Sequence, residues 1–209
     1  MLASRLNIGM WLLSAVVVLL AIVVWLPEPG DELTAYVLFP LFGIVAFSLM
    51  WTHYIGGAMR RYLGLDKDVL RTQFMVTSYI VLFCILVHPA LLEFQLYLDG
   101  LGLPLQSLPA VYTEASERLA ILAGATALIC FLFYELHRFF RDKSWWTYVE
   151  WANVAAMLLI LWHGFTLGGE LKTDWFQTLW AFYGLSFVAA VIYSEYHKRR
   201  YDHGNELIT

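Results

Sequence analysis

The sequence SWWTYVEWANVAAMLLILWHGFTLGG, residues 144–169, determines the class of this protein. Every residue from Val154 to Trp162 is apolar, and the run then meets His163. A long apolar run is typical of a membrane-spanning helix, and an imidazole within a bilayer requires a partner because hydrocarbon offers none. A second apolar stretch, residues 71–97, carries His88 in a similar position. The two stretches together predict a paired-histidine site inside a membrane.

The composition of the whole chain also favours a membrane protein. Of its 209 residues, 60% are hydrophobic and 14% are charged, whereas a soluble domain is about half apolar and about a quarter charged. Aromatic residues make up 17%, and the nine tryptophans suit membrane–water interfaces. No basic domain indicates nucleic acid as a partner. We therefore expect an all-α, polytopic membrane protein surrounded by lipid.

Six apolar runs are long enough to cross a bilayer. The predicted helices cover residues 8–26, 33–55, 72–98, 117–140, 145–167 and 175–197, which form a six-helix bundle and a single membrane domain over 1–209. The first run ends in PEPGDE, without a small-residue cleavage site, so we interpret it as a helix and not as a signal peptide.

Basic residues predict the orientation of this bundle. Only Arg118 and Lys172 fall on one side, and all other lysines and arginines fall on the opposite side. Because short cytoplasmic loops carry the excess of positive charge, both termini are predicted to be cytoplasmic, in a plasma or bacterial inner membrane. The cytoplasmic set is Arg5, Arg60, Arg61, Lys67, Arg71, Arg138, Arg141, Lys143, Lys198, Arg199 and Arg200.

The two membrane histidines lie at similar predicted depths. His88 is 88 − 72 = 16 residues into its helix, and His163 is 163 − 145 = 18 residues into its own. At about 1.5 Å per residue, both lie about 24–27 Å from the inner end, in the outer part of the bilayer. Matching depth is what two axial ligands of one haem require. In the alternative interpretation, each histidine packs between helices or relays protons without a cofactor.

The pattern resembles the ferric reductase-like transmembrane domain of ferric reductases, NADPH oxidases and the haem membrane subunit of the bacterial methionine-sulfoxide reductase system. The resemblance covers residues 60–200 and rests on RRYLG before helix three, the basic HRFFRDKSWW turn, and the histidines of helices three and five. It implies a b-type haem, with iron held by His88 and His163, and electron transfer to an acceptor outside the membrane.

The chain departs from the two-haem members of this family. Those members carry a further histidine about four turns earlier on both helices, where this chain has Phe74 on one helix and Val149 or Glu150 on the other. The resemblance therefore implies one haem per chain. Glu150 either pairs with the basic turn at Arg141 or Lys143, or edges, with Asn153, a quinone or flavin site at the inner side.

Partners follow from what the sequence contains. Arg118 and Lys172 are the basic outer residues available to the haem propionates. No GxGxxG motif occurs and twelve residues follow His197, so we expect no nucleotide domain here. A separate reductase, quinol or partner subunit is then the electron donor, and the chain is an electron-transfer subunit of an oxidoreductase. The alternative is a haem-free membrane scaffold, anchor subunit or small transporter.

Overall fold

The computed structural model of the protein describes residues 1–27, 32–103, 106–136, 140 and 142–206, without the side chains of residues 110, 172 and 201–206. The described residues form seven α-helices that we number in chain order, and they contain no strand. The helices are α1 Leu2–Trp25, α2 Ala35–Tyr62, α3 Arg71–Leu98, α4 Leu108–Val111, α5 Ala115–Tyr134, α6 Trp146–Leu167 and α7 Asp174–Glu206. Two 3-10 turns, Lys67–Leu70 and Glu170–Lys172, precede α3 and α7.

The predicted all-α class is confirmed, and the helices are compatible with a multi-pass membrane bundle. Within the described ranges, five helical segments are long and apolar enough to cross a membrane by length and composition: α1, α2, Lys67–Leu98, α5 and Asp174–Arg200. Helix α6 has 22 residues but is not among them, since Glu150, Asn153 and His163 lower its mean hydropathy. The sixth span and the orientation of the bundle therefore stay predictions.

Four helix boundaries differ from the sequence-based expectation by six residues or more. Helix α1 begins at Leu2 instead of residue 8, and α7 ends at Glu206 instead of residue 197. Helix α2 was expected to end near residue 55 but continues through Gly56 to Tyr62. A Cβ added at Gly56 would lie 2.9 Å from the Met10 side chain and 3.2 Å from Phe74, so glycine allows α1 and α3 to pack closely on α2. Helix α5 ends at Tyr134 instead of reaching residue 140, although residues 137–139 lie outside the described part.

The site is positioned by two antiparallel helix pairs, α2 with α3 and α5 with α6. We call the end of the bundle where α2, α5 and α7 begin the outer end, and the end where α3 and α6 begin the inner end. Helix α7 packs along α2 through aromatic contacts, with ring centroids 4.2 Å apart for Phe47–Trp180 and 4.5 Å apart for Trp51–Tyr183. These contacts place the first helix pair and α7 in one core.

Candidate metal centre

His88 of α3 and His163 of α6 lie beside each other towards the outer end. Their ring centroids are 6.4 Å apart and the ring planes make an angle of 79°. Both residues are partly buried. Residues that are 75 positions apart in the sequence therefore meet between the two helix pairs, as their similar depths require.

A backbone carbonyl fixes the His88 ring. Nδ1 of His88 lies 2.7 Å from the carbonyl oxygen of Phe39 on α2. A carbonyl only accepts hydrogen bonds, so Nδ1 must carry the proton and donate it. In the neutral imidazole the lone pair then lies on Nε2, the nitrogen available to a metal. No residue in the described part of the chain forms a hydrogen bond with this Nε2.

The His163 ring is held in the same way by the second helix pair. Its Nδ1 lies 2.8 Å from the carbonyl oxygen of Ala120 on α5, so it also donates from Nδ1 and keeps a lone pair on Nε2. Among the described residues, Nε2 of His163 likewise has no hydrogen-bond partner. Metal-bound histidines generally donate their other ring N–H to a carbonyl or carboxylate in this manner.

A glycine beside each of these carbonyls leaves the space that the imidazole ring needs to reach the carbonyl oxygen. In an α-helix the carbonyl of residue i points toward residue i+4, and residue i+4 is Gly43 for Phe39 and Gly124 for Ala120. A Cβ at Gly43 would lie 2.9 Å from Cε1 and Nδ1 of His88. A Cβ at Gly124 would lie 2.9 Å from Nδ1 and 3.0 Å from Cε1 of His163. Any other residue at either position would therefore push the ring away from its carbonyl.

These four supporting positions were missed by the sequence analysis. Their signal is present in the sequence, because Phe39–Gly43 and Ala120–Gly124 have the same four-residue spacing, each early in the helix that precedes a histidine-bearing helix. The signal cannot be recognised without knowing which carbonyl each histidine reaches. The two helix pairs thus repeat one arrangement of carbonyl, glycine and imidazole.

The distance between the two rings matches the distance between two imidazoles that would be bound to one metal ion. A metal–imidazole bond is about 2 Å long and the nitrogen lies about 1 Å from the ring centre, so two imidazoles on opposite sides of one metal have centroids about 6 Å apart. No group of three or more His, Cys, Asp or Glu side chains that could hold a metal ion occurs in the described ranges. Two protein ligands are sufficient for a haem, because the porphyrin supplies the other four nitrogens.

The two predicted partners of the haem propionates, Arg118 and Lys172, lie near this end of the bundle, and only the side chain of Arg118 is described. Arg118 is exposed and two residues before Ala120; its Nε donates to the Tyr112 carbonyl at 2.9 Å and its Nη2 to the Pro109 carbonyl at 3.4 Å. The guanidinium has five N–H donors, so donors remain for an anion. The side chain of Lys172 lies outside the described residues.

Glu150 and Asn153 are far from the two histidines, at the inner half of α6. Asn153 donates to the hydroxyl oxygen of Tyr54 on α2 at 2.9 Å. Glu150 is exposed and within electrostatic range of Arg61 on α2 and of Tyr134 on α5. The face of α6 that carries both residues therefore borders the first helix pair. The suggested partner Arg141 lies outside the described part of the chain.

His53 of α2 differs from His88 and His163 in the partner of its ring. Its Nε2 lies within hydrogen-bond distance of the Thr77 hydroxyl, whose oxygen also lies 2.8 Å from the Gln73 carbonyl oxygen. A hydroxyl both donates and accepts, so this contact fits either tautomer of His53 and occupies its Nε2. His137 lies outside the described residues, as do the side chains of residues 201–206.

Comparisons of the chain with protein-family models, with curated proteins and with solved structures give no match. The function is therefore inferred from the geometry of the site and from the pattern of the sequence.

Proposed function

We propose that this protein binds one b-type haem through His88 and His163 and serves as an electron-transfer subunit of a membrane oxidoreductase. The single observation that carries the proposal is the pair of imidazoles with centroids 6.4 Å apart, each held by a carbonyl at Nδ1 and free at Nε2. We place both termini in the cytoplasm and the haem towards the outer face of a plasma or bacterial inner membrane, because of the distribution of basic residues.

A haem with two imidazole ligands exchanges one electron and has no open position for oxygen, which favours electron transfer over oxygen binding. The residues of the chain set the conditions for that exchange. The Phe39 and Ala120 carbonyls orient the two rings and raise the basicity of each Nε2. Gly43 and Gly124 give the rings the space to reach those carbonyls. Arg118 is the described basic residue next to the site for the two propionates.

Electrons have to enter from the inner side and leave at the outer side in this proposal. The inner end carries Arg60 and Arg61 on α2, which suit an acidic reductase or anionic lipid headgroups. We propose that a separate reductase, a quinol or a partner subunit is the donor. The position of Glu150 and Asn153 beside α2 supports a quinone or flavin site there, where two-haem members of the ferric reductase-like family hold their inner haem.

The test measures haem stoichiometry and its dependence on the two ligands. We expect a pyridine haemochrome assay of the purified chain to give one b-type haem per protein. His88→Ala and His163→Ala should each abolish or strongly reduce haem retention, whereas the control His203→Ala, near the C-terminal end of α7, should retain it. A ratio near two, or an unchanged low-spin spectrum in either ligand variant, would contradict the proposal.

The competing function is a haem-free scaffold, anchor subunit or small transporter. One observation is compatible with it: each histidine joins two helices through a single hydrogen bond to a carbonyl. In that case the purified protein would have no Soret absorption, and His88→Ala would change only stability. The absorption spectrum of the wild-type chain therefore separates the two functions before any variant is made.

A further inference from the structure

A second polar cluster lies in the inner half of the bundle, between α1, α2 and α3. It consists of Ser14, His53, Gln73 and Thr77, which we call the inner polar cluster. Ser14, Gln73 and Thr77 are 5%, 0% and 1% exposed. Polar side chains so deeply buried in an apolar helical bundle are costly unless they are paired, and in membrane proteins they commonly mark ion or proton pathways.

The hydrogen bonds of the inner polar cluster join its histidine to α3. Nε2 of His53 lies within hydrogen-bond distance of the Thr77 hydroxyl, whose oxygen lies 2.8 Å from the Gln73 carbonyl oxygen. Neutral His53 keeps a lone pair on one ring nitrogen, and that nitrogen can accept a second proton. This ring packs on Phe74, with centroids 4.9 Å apart, and it is the titratable member of the cluster. It takes no part in the proposed electron-transfer site.

One atom of the cluster lacks a partner. The Gln73 side-chain amide donates to the Ser14 hydroxyl at 2.9 Å, but its Oε1 has no hydrogen-bond partner among the described residues, although the residue is fully buried. A buried carbonyl oxygen of this kind is normally satisfied by an ordered water molecule. A water bound here would extend the chain of polar groups next to His53.

No fixed charge compensates a second proton on His53. In the described part of the chain the imidazole forms no ion pair. Its contacts on α3 are the uncharged Phe74 and Thr77. The cluster reaches α1 through the hydrogen bond from Gln73 to Ser14, and neither of these residues is charged. Most charged groups on the adjoining elements lie at the inner end, where Arg60 donates to the Leu65 carbonyl, whereas Glu93 lies towards the outer end of α3 and accepts from Ser107. The inner groups are Arg5, Arg60, Arg61, Lys67, Asp68 and Arg71. Because no counter-ion is fixed beside it, the charge state of His53 is sensitive to a change of charge deeper in the bundle.

We propose that the inner polar cluster is a binding site for a proton at His53 and a water molecule at Gln73, and that the proton is taken up when the His88–His163 site gains an electron. This inference rests on the proposed function. The electron comes from the external donor, the proton comes from the inner aqueous phase and binds to the unprotonated ring nitrogen of His53, and no covalent bond of the chain is broken. The proton uptake offsets part of the negative charge added to the bundle interior.

The size of the coupling between haem reduction and protonation of His53 follows from the separation of Thr77 and His88 along α3. Thr77 and His88 are 88 − 77 = 11 residues apart on this helix, or about 16 Å at about 1.5 Å per residue. At an effective dielectric constant of about 20, one added electron at that distance raises the proton affinity of His53 about fivefold. With 59 mV per tenfold change for a one-electron couple, a fivefold change corresponds to a decrease of about 40 mV in the haem midpoint potential between acidic and alkaline pH.

The experiment is a redox titration of the full haem-loaded chain in detergent from about pH 4 to about pH 9, a range that brackets histidine titration. The wild type should show the decrease of about 40 mV, and a pH-indicator dye should report proton uptake on reduction. His53→Gln keeps a donor for Thr77 but does not titrate, and it should abolish both signals. Thr77→Val should move the transition to lower pH, because the charged ring loses its acceptor. The control His203→Gln should behave as the wild type.

The outcomes separate this inference from the proposed function. A haem-loaded wild type with a pH-independent potential overturns the inference alone, as does a pH dependence that persists in His53→Gln. A wild-type chain without haem overturns both, and this is visible in the absorption spectrum before any titration.

Discussion

Substitution of Gly124 by alanine tests the supporting geometry of the candidate metal centre with one added carbon. The new Cβ would lie 2.9 Å from Nδ1 and 3.0 Å from Cε1 of His163, where ordinary contacts begin at 3.4 Å. The ring therefore has to retreat by about 0.5 Å. That retreat would lengthen the 2.8 Å hydrogen bond to the Ala120 carbonyl beyond the usual range for N–H···O bonds, and metal–ligand distances tolerate only about 0.2 Å.

The expected result is a loss of haem affinity by about 10- to 100-fold, the usual effect of losing a hydrogen-bond partner behind a metal ligand. This range corresponds to about 1.4–2.8 kcal/mol at about 1.4 kcal/mol per tenfold change. Gly43→Ala should have a similar effect through His88, since its Cβ would lie 2.9 Å from two atoms of that ring. Haem titration into apoprotein, followed at the Soret band, measures the affinity.

The matched control is Gly9→Ala in α1, where an added Cβ meets nothing within 4 Å. This variant should retain wild-type haem affinity, and replacing a mid-helix glycine should stabilise the helix by about 0.5–1 kcal/mol. If Gly124→Ala and Gly43→Ala both bind haem as tightly as Gly9→Ala, the carbonyl-and-glycine support has no role in ligation, and the reasoning fails.

Three further predictions concern the two ends of the bundle. NADPH or NADH alone should not reduce the haem, whereas a quinol or an added flavin reductase should. Glu150→Gln should slow that reduction without changing the absorption spectrum. An unaltered rate would mean that this carboxylate has only its charge interaction with Arg61. Arg118→Ala should lower haem affinity by no more than about fivefold, as expected for an exposed ion pair, and a loss as large as that of a ligand variant would contradict this. Burial raises the pKa of Glu170 above its ordinary value of 4.5, so ionisation of this carboxyl opposes folding above that pH. Glu170→Gln should therefore raise the thermal unfolding midpoint at pH 7 to 8. This increase in the midpoint should disappear as the pH falls below 4.5.

The sequence was sufficient to predict the helical class and the position of the paired histidines. Apolar length defines membrane helices well because lipid requires every backbone group to be paired within the segment. The regular rise of a helix then converts residue number into depth, so the similar depths of His88 and His163 could be calculated. Helix α6 shows the limit of this method, because Glu150, Asn153 and His163 lower its hydropathy. The same polar residues make the helix interesting for function.

The supporting residues could not be predicted in the same way. Gly43 and Gly124 are ordinary members of apolar runs, and their role depends on which neighbouring helix approaches them and at what rotation. The same is true of His53. By sequence it is one of several histidines towards the cytoplasmic end, and only the structure shows that it contacts Thr77 in a buried polar cluster. Rotation of helices about their axes is determined by packing, which a single sequence does not specify.

The unpaired nitrogens of His88 and His163 favour ligation over a purely structural role. A histidine that only joins two membrane helices contributes about 0.6 kcal/mol through its hydrogen bond, whereas a polar atom that faces hydrocarbon without a partner costs several kcal/mol. Each histidine would then lower the free energy of unfolding, whereas a leucine at the same position would pack without an unpaired polar atom. Each histidine also requires a glycine, which weakens its own helix by about 0.5–1 kcal/mol. The chain carries this combination twice, on two helix pairs, with the two rings 6.4 Å apart. A metal bound to both Nε2 atoms would remove the cost at both positions at once, and for this reason we propose haem ligation and not packing alone.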